Sequence, residues 1–400
     1  MYRTLYLNWL LLFMVFVFLS GCAARIERPK RYTPSTAMIS ISPVRDIADD
    51  LDMISLNAAV DASIRYYEKA GGRASYCFGN QCHTGTEMTE AMQRFRRIMN
   101  SGFSAKEKMD RVNNAFEFYQ SIGNDGAGTV VFTGYYEPVL DGSLNRTERF
   151  RYPLYKTPEE TVTVSLGAFN PKYGNDRLVG RLRGKEVIPH YSRKEIETDR
   201  ALDGRGLEIA WVDDPVSLFI LHIQGSGRIR LPDGSILHTN YAQSNGRPFR
   251  GLTRYMVEKG YLAEHEKGYR HMKAYLQEHP ETRDEIMNHN ESYIFFRVVD
   301  KGPIGSLGFP IIAGRSIAVD PDVFPKGALA IIKTRKPIFN ENGEIRTWVS
   351  YSRFVFSHDA GGAIKGPGRV DLFCGTGPEA ERLAGSLKEA GNLFFLAPKR

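Results

Sequence analysis

Asp359 and Asp371 stand twelve residues apart in "SHDAGGAIKGPGRVDLFCGTGPEAERLAG", residues 357–385. Between them lie Gly361, Gly362, Gly366, Gly368, Lys365 and Arg369. A third aspartate, Asp320, ends the run "SIAVD". All three sit at the ends of strand-like runs, where the strands of a barrel can converge. Two close carboxylates resist joint ionisation, so one of them is driven up toward the range a general acid needs. For any one aspartate alone, a turn-capping role in a Gly-rich loop is the plainer reading. Other chemistries are poorly served. No histidine pair has the HExxH spacing, no GK[ST] follows a glycine loop, and "QGSGR" lacks the five-residue frame of a nucleophile elbow. No cofactor and no metal is expected.

The carboxylates need a scaffold. Of the 400 residues, 42% are hydrophobic and 12% aromatic, enough for a sizeable core. So many rings suit a barrel interior or a groove that stacks on sugars. Leu56, Val60, Ile64 and Tyr67 recur at helical spacing, as do Met88, Met92, Phe95 and Ile98. "SAKE" (104–107) fits a capping box before Met109, Val112, Phe116 and Tyr119. Residues 50–122 therefore read as helical. β-Branched and aromatic residues dominate from "GTVVFTGYYEPVL" onward. "SLFILHIQGSGRIRLPDGSILHTNYAQ" reads as two strands joined at Pro232-Asp233-Gly234, and three short helices follow before "ESYIFFRVV". The last hundred residues hold the short strands "SIAVD", "ALAIIKT", "FVFSHD", "RVDLFCG" and "NLFFLAP". One helix interrupts them, with Thr376 and Glu379 placed to cap it and Pro378 in its first turn. Many short strands with Gly/Pro turns suggest a barrel rather than a doubly wound sheet.

The stretch resembles the three-aspartate (3D) domain of the membrane-bound lytic murein transglycosylase A family. The matching residues are "AGRSIAVDP" (313–321), "DAGGAIKGPGRVDLF" (359–373) and "GTGPEAERLAG" (375–385). Upstream, "TGYYEP", "RYPLY", "LEIAWVDDP", "IQGSGRIRLPDG" and "YAQSNGRPF" are similar to the same family, in order, from about residue 128. The N-terminal helices, "CFGNQC" and Cys374 are not tied to that pattern. The resemblance implies a mainly β fold with helices, built on a double-psi β-barrel. Residues 49–138 and 300–400 would form the catalytic domain. Residues 139–299 would form an inserted β domain across a groove.

The resemblance also implies a lyase, a peptidoglycan lytic exotransglycosylase. It would cut the β-1,4 bond from N-acetylmuramic acid to N-acetylglucosamine and close a 1,6-anhydro ring. The catalytic aspartate then maps to Asp371 and its partner to Asp359, with Asp320 supporting the loop. One acid suffices when the substrate's own C6 hydroxyl attacks, because an intramolecular nucleophile has a large effective concentration. Tyr135, Tyr136, Gln224, Ser226, Arg228 and Lys365 are candidates for lining the groove. Adjacent strand residues face opposite sides, so only one of the two tyrosines is expected to touch sugar. Two other classes stay open from the residues: a water-using muramidase on the same barrel, and a non-catalytic wall-binding lipoprotein. The choice between chain ends and interiors, and between naked and peptide-bearing glycan, is open too.

Residues 1–21 read as a secretory signal, with Arg3 as the only charge before an apolar run. "LSGC" resembles the lipobox of bacterial lipoproteins, which makes Cys22 the lipidated residue. Ala23 then favours the outer membrane, with the body in the periplasm. Residues 22–48, with three prolines, read as a tether. Net charge is +7, a modest excess that suits an anionic polymer. No dense basic stretch argues for nucleic acid. Expected partners are peptidoglycan glycan strands, the membrane through the lipid, and proteins of cell-wall synthesis or division. Cys77 and Cys82 are expected to form a disulfide rather than a metal site with His83, leaving Cys374 as a free thiol.

Overall fold

The computed structural model describes residues 32–399, so the signal segment and Cys22 lie outside the described residues. β1 (Met38–Ile41) precedes helix α1 (Met53–Ala70), the hairpin β2 (Ser75–Phe78) and β3 (Gln81–Thr84), and helices α2 (Gly85–Met99) and α3 (Ala105–Ala115). Each helix starts on a side-chain cap. Asp52 accepts from Ser55 N–H, Thr84 forms a capping box with Glu87, and Ser104 with Glu107. The buried faces of α1 and α2 are the stripes seen in the sequence: Leu56, Val60, Ile64 and Tyr67, then Met88, Met92 and Phe95.

Two expectations fail in this region. Residues 38–41, assigned to the tether, form β1, which pairs with β4 (Phe116–Ser121). The helical reading to residue 122 stops at Ala115, because Phe116–Ser121 is that strand. Phe116 and Tyr119 match helical spacing, but Phe116 and Phe118 also alternate. Pairing with β1 on one side and with the C-terminal strand on the other decides for β.

β5 (Val130–Glu137) leads into β6 (Val139–Ser143) and β7 (Tyr152–Tyr155). A three-stranded sheet follows, of β8 (Thr161–Ser165), β9 (Arg177–Arg183) and β10 (Glu186–Ile188). Then come α4 (Arg193–Glu197), β11 (Glu208–Val212), α5 (Pro215–Gln224), β12 (Ser226–Arg230) and β13 (Ile236–Ser244). Helices α6 (Leu252–Glu258), α7 (Tyr269–Glu278) and α8 (Pro280–Asn288) precede β14 (Ile294–Val299).

"SLFILHIQ" is helix α5, not strand. A continuous apolar run fits either element when it is buried all round. The ends decide here: Asp214 accepts from Val216 and Ser217 N–H, Pro215 occupies the first turn, and Gly225 closes it in the left-handed conformation. The strand begins only at Ser226. α5 covers a six-stranded sheet of order β14-β13-β12-β6-β11-β7, whose inner face buries Leu140, Leu154, Ala210, Val212 and Ile229.

The C-terminal part holds β15 (Ser316–Ala318), β16 (Leu329–Phe339), β17 (Ile345–Asp359), β18 (Arg369–Thr376), α9 (Pro378–Ser386) and β19 (Lys388–Pro398). The order β19-β16-β17-β15-β18-β5 closes on itself, because β19 also pairs with β5. The result is a closed six-stranded barrel, filled by residues such as Phe132, Ile317, Ile331, Phe356, Leu372 and Phe395. α1 and α2 pack on it through Val60, Met92 and Phe95 in the same core. Mainly β structure with helices, a barrel and a second β unit is the expected fold class. The cap of α9 differs: its N-cap is Gly377, with no side-chain bond, and Thr376 donates to Glu137 instead.

Candidate active site

Three barrel strands bring the two aspartates together. Ala318 of β15 is registered with Asp359 of β17 on one side and Asp371 of β18 on the other. Two inter-strand spacings put the aspartate Cα atoms about 10 Å apart. The row continues into β5, where Thr133 lies beside Asp371 and Tyr135 beside Phe373. Residues two apart share a face, so Thr133, Tyr135, Asp371 and Phe373 all point out of the barrel. Val370 and Leu372, on the alternate positions, fill the core.

The two carboxyl groups are in unlike surroundings. Asp359 accepts from the backbone N–H of Ser306 and of Ala360 and from the Tyr135 hydroxyl, each at 2.9 Å. Burial raises its pKa, and those three donors pull it back toward the anion. Burial and the neighbouring aspartate keep the Tyr135 hydroxyl protonated, so it serves as a donor. Asp371 has no such support. Its Oδ1 is buried without a hydrogen-bond partner, and the Arg369 guanidinium stays 3.8 Å away. Burial pushes Asp371 up to about 6, against Arg369 and helped by Asp359. One carboxyl is therefore held as an acceptor. The other is left as an acid. Beside Asp371, the Thr133 hydroxyl is likewise buried without a partner.

A neutral histidine locks the strand that carries Asp359. His358 is buried between Ser63 and Ser316, each hydroxyl 2.9 Å from one ring nitrogen. Ser63 donates to Gly327 O, so it accepts from Nε2–H; Ser316 accepts from Ile312 N–H and donates to Nδ1. Burial lowers the ring to about 3, which keeps it uncharged.

Asp320 accepts from Gly366 N–H at 2.8 Å and so holds the loop between the aspartates. Lys365 lies 3.7 Å from Asp320 and is mostly exposed. The loop glycines give less clearance than their number suggests. A side chain at Gly368 would strike Asn124, one at Gly361 would crowd Ile364, and only Gly362 faces open space. Tyr136 is not a groove residue. It is 3% exposed, packs among Val216, Phe219 and Ile220, and its hydroxyl meets that of Tyr269 at 2.8 Å. Gln224 accepts from Tyr136 N–H, and Ser226 is buried in β12. Arg228 binds the fully buried Glu137 at 2.8 Å and also reaches Thr376, joining the second sheet to the barrel strands. Thr133, Glu137 and Ser306 were not singled out in the sequence. Alternation along "TGYYE" would have put Thr133, Tyr135 and Glu137 on one face.

Cys77 and Cys82 face each other across the β2–β3 hairpin and form a disulfide. Cys374 is a free thiol, pushed by burial up to about 12.

The two aspartates flank one barrel strand, and the residues that form this part of the barrel, 315–397, match the model described as "3D domain". Residues 131–297 match the model described as "MltA specific insert domain". The two models together match most of the chain from residue 131 onward, and the chain is similar to the membrane-bound lytic murein transglycosylase A family. It is 29% identical over 281 residues to membrane-bound lytic murein transglycosylase A of Escherichia coli strain K12, covering 70% of this chain and 68% of that one. A crystal structure of membrane-bound lytic murein transglycosylase from Agrobacterium tumefaciens superposes with a TM-score of 0.73 at 27% identity, covering 90% and 98%. The Escherichia coli MltA structure with bound chitohexaose has the same fold, with a TM-score of 0.69 at 21% identity, covering 94% and 98%.

Proposed function

We propose that this protein is a lytic transglycosylase of peptidoglycan with Asp371 as its acid and base. The observation that carries the assignment is the contrast between the carboxyls: Asp359 accepts three hydrogen bonds, while Asp371 Oδ1 is buried and has none. Relatives of the chain are named as murein transglycosylases, and one related structure holds a chitohexaose. Protonated Asp371 gives its proton to the leaving O4 oxygen as the C1–O4 bond breaks. The C6 hydroxyl oxygen then bonds to C1, and its proton passes to the Asp371 carboxylate. The 1,6-anhydro ring closes, no water is consumed, and the acid is restored. Asp359, as an anion, raises the pKa of Asp371 and so helps keep its proton on, and Tyr135 and Ser306 fix its position.

Residues 139–299 supply the second wall of the groove, and the barrel with its helices supplies the first. Arg228 braces that wall from behind rather than reaching for sugar. The body is held at the outer membrane through a lipid on Cys22, facing the periplasm. Mass spectrometry of digested peptidoglycan tests the reaction. Anhydro products lighter by one water are expected; hydrated reducing ends would make the protein a muramidase, and no release would make it a wall-binding lipoprotein.

The acid must start protonated, so kcat/KM is expected to fall above pH about 6, tenfold per pH unit. Arg369 holds Asp371 down, so Arg369→Gln should carry that limb to higher pH. A pH–rate profile of anhydro product release reads both. A limb that stays put or moves down in the variant would take Arg369 out of the account.

A further inference from the structure

The second β unit carries a cleft of about 190 Å³ away from the aspartates, between β7, β11, α4 and α8. Its chemistry is specific. At the mouth, the Arg146 guanidinium lies 5.8 Å over the Trp211 ring and Arg151 lies 5.7 Å over Tyr152. Among the described residues neither arginine has a carboxylate partner. Stacking holds a guanidinium flat and leaves its fork of N–H donors outward. The other charges of the lining are paired: Glu197 with Arg193 at 2.6 Å, and, at the surface, Asp203 with Arg200 and Asp284 with Arg283, each at 3.3 Å. The charge left without a partner is that of Arg146 and Arg151, and it is positive.

One group at the base lacks a partner. Tyr293 is 0% exposed and lines the cleft beside Glu197 and Tyr155, yet its hydroxyl makes no hydrogen bond. A buried hydroxyl left unpaired is destabilising, so a bound group that satisfies it is favoured. Trp211, Tyr152, Leu218 and Met287 give apolar wall between mouth and base. The site so built takes an extended ligand with a carboxylate at one end, an apolar middle, and a polar acceptor further in.

We propose that this cleft binds the carboxylate-bearing stem peptide of peptidoglycan. Arg146 and Arg151 clasp the carboxylate, and Tyr293 donates to a peptide carbonyl. The choice of a stem peptide rests on the function proposed above: a muramic acid without its peptide also carries a carboxylate, but only a peptide adds side chains for the apolar wall and a carbonyl for Tyr293. The enzyme then selects strands that still carry peptides, by a contact remote from the bond it breaks.

Calorimetric titration of the full protein with a free stem tetrapeptide tests this without any glycosidic bond in the tube. Binding is expected for the free-acid peptide, and at least tenfold weaker binding for the same peptide amidated at its carboxylates. Arg151→Met should lose tenfold or more. Tyr293→Phe should weaken binding about threefold while the melting temperature stays level or rises, because no protein hydrogen bond is lost. Equal affinity for acid and amide, or wild-type affinity in Arg151→Met, overturns the proposal, as does the absence of binding at millimolar peptide. Asp371→Asn should bind the peptide as the wild type does. A protein that binds peptide but releases no anhydro sugar would sink the catalytic reading alone.

Discussion

Asp371→Asn is expected to leave a protein that still grips peptidoglycan and no longer cuts it. The amide can neither give the first proton nor take the second, so turnover should fall by about 10²–10⁴ or more. Folding should be little affected. Asp371 Oδ1 has no hydrogen bond to lose, and its nearest cation is 3.8 Å away and half in solvent. The uncharged amide also removes the repulsion between two aspartates that flank one strand. Two readouts are needed from one preparation: muropeptide release by mass spectrometry, and co-sedimentation with insoluble wall. Release at the wild-type rate would show that another group is the acid. Loss of sedimentation along with release would show that the substitution has damaged the groove.

The second large effect concerns stability. Arg315 is 0% exposed, just ahead of β15, and every part of its guanidinium is used. It donates twice to Asp49, at 2.7 and 2.8 Å, and also to Phe354 O, Asp52 O and Ser55 Oγ. One side chain thus ties the start of α1 to the barrel strands that present the aspartates. Arg315→Met should cost about 3–5 kcal/mol, because Asp49 is left buried without its cation. Burial already raises Asp49, with Arg315 opposing, so the orphaned carboxyl will take up a proton more readily. Denaturant midpoints measure the loss. Adding Asp49→Leu to Arg315→Met should restore most of it. A double variant no better than the single would mean the remaining contacts of Arg315, not the charge pair, carry the stability.

The sequence made some of this visible and hid the rest, for physical reasons. The strands around the aspartates could be read because Val, Ile and Phe cluster there between Gly and Pro turns. Helices α1 and α2 could be read because their stripes and caps agree. Non-local pairing could not be read. Nothing near Met38 announces that four polar-flanked residues will pair with β4, and nothing near Phe116 announces that β19 will lie beside it. α5 was misread because a run buried on every side carries no periodicity. The site shows the same division. Asp359 and Asp371 were found through a motif, with Asp320 as their loop support. The difference in their surroundings came from the adjacent Ala360 and from Ser306 and Tyr135, which the fold brings up from a loop and a strand far along the chain. Tyr136 and Arg228 looked like groove residues because they sit in matching motifs. Packing put one in a core and the other in a strut.

The closure of the barrel has a consequence for how the molecule comes into being. β19 completes the ring. Its first residues pair with β5, its middle with β16 and its end with β4. Its ring partner β5 lies 255 to 261 positions earlier (Lys388 with Thr133, Gly391 with Val130), so the ring closes by a contact of very high sequence separation, which is slow to find. A chain that stops before residue 388 already has the three strands that carry Asp359 and Asp371, but its barrel is left open between β5 and β16. A molecule cut ahead of β19 is expected to carry its aspartates on an open sheet and to release less muropeptide than the closed barrel.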